Sequence, residues 1–147
     1  MSQTIEHQRA AHALNAVMTV ASPSVEKKKQ QAYRSAARSL PAHLMIQGIG
    51  QTLAMLATED APVCGLYLTL QDWLTRTGGP LAPEKDVLIA ITIMDQNHYI
   101  AAQAEAVKLA GWLKKFAAAL IEAPKAKPKA GETQEQNDAS DHEPAQS

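Results

Sequence analysis

From Tyr99 to Leu120 the chain carries an apolar stripe at Tyr99, Ala102, Ala106, Leu109, Leu113, Phe116 and Leu120, in steps of 3, 4, 3, 4, 3 and 4. At that spacing every one of these residues falls on one side of a helix about six turns long. A stripe of this length must be covered by other apolar surface along its whole run, and this limits what the chain can fold into. Asp95 stands where an N-cap belongs, so the helix is expected over about 96–121. A seven-residue period suits a coiled coil or the core-facing helix of a bundle, and the bundle is preferred. The covering surface must come from aliphatic residues. Apolar residues make up 46% of the 147, but the aromatics are only two Trp, three Tyr and one Phe. A core of Leu, Ile, Val, Met and Ala favours helices.

Helix punctuation divides the rest of the chain. A first amphipathic helix is expected over 5–21, with Ile5, Leu14, Val17 and Ala21 on its apolar side and Ser22-Pro23-Ser24 ending it. A second runs over about 25–39. Pro41 then interrupts, because its ring would clash with the carbonyl of Ala37, so a third segment restarts over about 41–57. The turn ATEDAP leads to a helix over 62–76 carrying Leu66, Leu70, Trp73 and Leu74. Thr77-Gly78-Gly79-Pro80 stops it, and Pro83-Glu84 opens another to about 94. No strand-like alternation and no internal repeat is visible. The expected fold is all-α: a compact bundle of five to six helices with a long C-terminal helix, in one domain over 1–122. Residues 123–147 contain no apolar side chain larger than Ala or Pro and are expected to form a disordered tail.

Charge excludes a strongly basic nucleic-acid-binding domain. The tail holds three lysines and five acids, leaving 11 basic and 10 acidic residues before it. Any RNA contact must then come from a local patch, or from small patches that add when copies stack. The single cysteine, Cys64, sits in an apolar run and is expected to be a buried free thiol. No signal peptide and no membrane-length apolar run is visible, so a soluble cytoplasmic protein is the expectation. Motifs for catalysis are missing: no HExxH, CxxC, GxSxG or P-loop occurs. His7 and His12 lie about 140° apart on a helix and do not converge on one metal. GIGQTL has a G-x-G but neither the third glycine nor a preceding strand. No metal, no cofactor and no enzyme activity is expected.

One charged feature has geometry. Taking about 100° per residue from Lys27, Gln31 falls at about 40°, Arg34 at about −20° and Arg38 at about 20°. These four share one narrow stripe, and cations so placed repel unless something anionic lies across them. A solvated face, RNA phosphates and a partner protein's acids are all compatible with it. A weaker cluster, Lys108, Lys114 and Lys115, lies on the last helix, where Lys108 and Lys115 share a face and also suit the helix dipole. Just beyond Pro41, Gly48 can end a segment in the left-handed conformation and Gly50 can admit a second backbone closely. The two describe a corner between helices, or a corner whose backbone N–H groups touch a phosphate chain beside the arginines.

Four stretches carry a resemblance: QRAAHAL, YRSAARSLPAHLMIQGIGQTLAML, LYLTLQDWL and MDQNHYIAAQAEAVKLAGWLKKFAAAL. Together they resemble the small helical subunit of type III-B CRISPR effector complexes, the Cmr complex, across roughly residues 6–121. The shared pattern is a tyrosine-arginine helix, a proline, a Gly-x-Gly-Gln corner before an apolar run, and a closing Trp-Leu-Lys-Lys-Phe-Ala segment. Met55 stands where that pattern has an aromatic, and the acidic tail lies beyond the pattern.

The resemblance implies a small α-helical bundle without catalytic function. It implies copies stacked as a minor filament beside other effector-complex subunits, helping to hold crRNA paired with target RNA. It favours phosphate contact for Lys27, Gln31, Arg34, Arg38, Lys108, Lys114 and Lys115. The alternative is a helical protein-interaction adaptor that docks through the Trp112–Phe116 region and touches no nucleic acid.

Overall fold

The computed structural model describes residues 4–124, and these form five helices: α1 Ile5–Val20, α2 Lys27–Ala57, α3 Gly65–Leu74, α4 Val87–Ile93 and α5 Gln96–Leu120. No strand occurs among the described residues. All but the first two residues of the expected tail lie outside them.

Short polar side chains start three of the helices. The Thr4 hydroxyl accepts the His7 N–H at 3.1 Å. Asp86 accepts from Leu88 and Ile89, and Asp95 from His98 at 2.9 Å. Each cap satisfies backbone donors that have no partner inside the helix. Asp86 also corrects the start expected at Pro83: α4 begins at Val87, and its cap lies three residues beyond the proline. The helix expected over 62–76 is likewise shorter, because residues 61–64 make turns before Gly65. Cys64 sits in those turns and is half-buried rather than fully enclosed.

The expected stripe on α5 is the centre of the molecule. Its most extensive packing is against α2, and α1 and α3 also lie on it. The buried positions are Ala102, Ala106, Leu109, Ala110, Leu113 and Ala117. Past Leu109 the buried line moves onto Ala110 and Ala117, while Leu120 is 46% exposed. A straight helix at 3.6 residues per turn drifts about 20° per heptad, so a seven-residue stripe rotates away from a flat neighbour. The helix is therefore a core-facing member of a bundle. Small residues let α2 come close, and Tyr33, Leu40, Leu44, Ile49 and Leu53 fill the space from that side, each at most 1% exposed.

The chain does not break at Pro41. Helix α2 runs through the proline, and Ala37, Leu40 and Leu44 on either side of it are fully buried on one face. The non-helical residue is Gly48, at φ 84° and ψ 167°. Removing one backbone hydrogen bond at Pro41 costs less than losing that continuous buried face, whereas Gly48 occupies a region that side chains rarely enter.

Candidate nucleic-acid interface

The basic stripe on α2 runs beside α5, and the pairing of these helices decides which lysine joins it. Arg34, Arg38 and Lys114 line one cleft of about 180 Å³, closed by Ala118. No carboxylate lines it. Arg38 and Lys114 are exposed and Arg34 is half-buried. The Arg34 Nε is enclosed and has no hydrogen-bond partner among the described residues. That N–H is closed off from solvent, so an anion in the cleft would be met by the charges of Arg34, Arg38 and Lys114 and not by this bond.

The other expected residues divide around this cleft. Lys27, at the start of the stripe, is paired with Glu122 at 2.8 Å. Both side chains are more than 60% exposed, so this is a weak, salt-sensitive pair. Gln31 is half-buried between Lys27 and Arg34. Lys108 and Lys115 are exposed but do not line the cleft. They flank Trp112, whose indole N–H donates to Glu6 of α1 at 2.8 Å, so they border the α1 side of α5. Only Lys114, between the buried Leu113 and Ala117, borders α2.

The glycine corner is not an open anion site. The Ile49 N–H donates to the Gln103 side-chain oxygen at 2.8 Å, and the Gln103 amide donates to the Leu44 carbonyl at 2.8 Å. One side chain of α5 thus satisfies a backbone donor and a backbone acceptor on the two sides of the Gly48 break. A Cβ at Gly48 would meet only the Tyr99 hydroxyl, at 3.5 Å, so its φ and not crowding calls for glycine. At Gly50 the neighbours are side chains, Ile91 at 3.4 Å and Tyr99 at 3.9 Å, rather than the second backbone that was expected.

A family model described as "CRISPR-associated protein (Cas_Cmr5)" matches residues 5–120, from the first residue of α1 to the last of α5. The chain belongs to the Cmr5 family. It is a subunit of the type III-B CRISPR effector, the Cmr complex, and the family associates with other subunits of that complex. A Cmr5 family protein from Thermus thermophilus, known from an X-ray crystal structure, is similar in fold. The TM-score is 0.64 at 23% sequence identity, covering 82% of this chain and 100% of that one. No curated protein matches the sequence.

On this Cmr5 chain the sequence reading missed the main polar cluster of the interior. Arg9, 3% exposed, makes two bonds to Glu105, Nε to Oε1 at 2.6 Å and Nη2 to Oε2 at 3.0 Å, and also pairs with Glu6. The Trp73 indole donates to Glu105 at 2.8 Å, and Arg76 lies 3.5 Å over the Trp73 ring. His12 adds a bond to the Thr69 carbonyl at 3.0 Å. Burial pushes the Glu105 carboxyl up, but the bonds from Arg9 and Trp73 and the charges of Arg9 and Arg76 hold it below its usual range. The Glu105 bond likewise raises Arg9. Every carboxylate and indole here is engaged, so the cluster clamps α1 and α3 to α5. Trp112 is also occupied: it stacks on Phe116 with centroids 5.3 Å apart and bonds Glu6. Both rings are nevertheless only half-buried, so part of the Trp112–Phe116 region faces solvent. No group of three or more His, Cys, Asp or Glu that could hold a metal occurs among the described residues. No helix among them is long and apolar enough to cross a membrane.

Proposed function

We propose that this Cmr5 chain is a non-catalytic structural subunit that stacks with copies of itself in the minor filament of the effector. In that setting it holds crRNA and target RNA through phosphate contacts. The observation that carries this reading is the convergence of Arg34, Arg38 and Lys114 on one cleft that no carboxylate lines. Lys27 and Gln31 extend the same face, and Lys108 and Lys115 contribute only from the α1 side. Contacts of this kind set the register of a duplex without reading its bases, as suits a subunit that must accept any guide. The near-neutral domain lets copies lie side by side, while the cleft repeats once per copy.

The test is a reconstituted effector carrying Arg34→Glu and Arg38→Glu in this subunit. Target-RNA affinity is measured across a salt series. Each lost phosphate contact removes about 0.7 to 0.9 from the log–log salt slope, so the double variant is expected to flatten the slope by about 1.5 per engaged copy. Intact assembly with an unchanged slope would remove these residues from the RNA surface.

A further inference from the structure

Resting on the reading of the cleft as an RNA face, we infer that the acidic part of this chain's own C-terminal segment, residues 132–143, occupies the Arg34–Arg38–Lys114 cleft when RNA does not. Three observations lead there. The cleft gathers three cations with no carboxylate among its lining residues. Residues 132–143 read ETQEQNDASDHE, with five carboxylates and neither Lys nor Arg, a composition that complements the cleft. The chain also leaves the described part at the right place. Glu122 already pairs with Lys27, the first member of the same stripe.

The span is short. Lys114 lies eight residues before Glu122, about 12 Å along a helix. From Glu122 to Glu132 is ten residues, which reach up to about 35 Å when extended. A segment tethered this closely competes at an effective concentration of order millimolar. Lys125, Lys127 and Lys129 precede the acids, so the later part of the segment is the complementary one. Its carboxylates mimic a run of phosphates, and RNA in the assembled effector displaces them.

The test uses the full chain with Cys64→Ala and a nitroxide on Ala139→Cys, read by NMR. At low salt the label is expected to broaden the amide signals of Arg34, Arg38 and Lys114. The broadening is expected to vanish in about 0.5 M salt, where screening is nearly complete within a few ångströms. It is expected to vanish equally in a chain with Glu132→Gln, Glu135→Gln, Asp138→Asn, Asp141→Asn and Glu143→Gln. No broadening at low salt, or broadening that survives neutralisation of the acids, overturns the inference. Oligouridine is then added to the neutralised chain, whose cleft is unoccupied. Failure of those same three amides to shift in oligouridine counts against the RNA reading alone, because the tail contact has been decided without RNA.

Discussion

Gly48 carries the sharpest single-residue constraint. Its φ of 84° with ψ of 167° lies in a region essentially reserved for glycine. Space is not the obstacle, since the nearest atom to an added Cβ is at 3.5 Å. Gly48→Ala is therefore expected to cost about 1–3 kcal/mol in urea unfolding, through backbone strain. Gly111 is the control: it lies inside α5 with nothing within 4 Å of an added Cβ. Gly111→Ala is expected to stabilise by about 0.5–1 kcal/mol. Equal effects at the two sites would sink the account of the break. That Gly48 breaks the helix was legible in the sequence, because glycine after a helical run is a common stop, but the left-handed cap expected there is not what forms: its ψ of 167° is extended. Gln103, which completes the corner from 54 residues away, left no local signal.

At the scale of elements, the apolar stripe of α5 was legible and its partner was not. Spacing along one helix says which residues face inward, but not which neighbour they meet. So Lys114, and not the Lys108–Lys115 pair, came to join the arginines of α2. The break near Pro41 was misplaced for a related reason: local sterics argue against proline in a helix, and the buried face of Ala37, Leu40 and Leu44 outweighs them. The same blindness hid the clamp of Arg9 on Glu105, whose partners are 96 residues apart. Arg9 is almost fully enclosed, so removing it strands a carboxylate in the interior. Arg9→Met is expected to cost about 3–5 kcal/mol. Glu105→Gln keeps a neutral acceptor for Trp73 and leaves Arg9 its pair with Glu6, so a smaller loss of about 1–3 kcal/mol is expected. If chemical unfolding of Arg9→Met matches wild type, the clamp does not hold α1 in place.

For the whole molecule, acid and alkali act through different groups. Glu105 is held below its ordinary range, and so is Asp95, chiefly by the hydrogen bond it accepts from the His98 backbone. Carboxyls depressed in the folded state contribute stability above their unfolded values, and that contribution is lost as pH falls through the folded ones. At the other end, burial raises the Tyr33 hydroxyl well above its ordinary 10.0, and the group is enclosed without a partner among the described residues. Only the unfolded chain releases that proton just above pH 10, so stability falls as pH rises past it. Thermal unfolding from pH 3 to 11 is expected to show a plateau with both limbs. Tyr33→Phe is expected to make the alkaline limb shallower, leaving the part that Tyr67, also raised by burial, contributes, and Glu105→Gln to make the acid limb shallower, leaving the part from Asp95. A Tyr33→Phe curve that still falls past pH 10 like wild type would assign that limb elsewhere. The Gln103 bridge also sets an order of events during synthesis. The ribosome releases the chain from its N-terminus, so both halves of α2 emerge while Gln103 is still to be made. Until it arrives, the Ile49 N–H and the Leu44 carbonyl have only water to bond. The second half of α2 is then free to swing about Gly48, and the nascent chain acquires its final direction there only when α5 is translated.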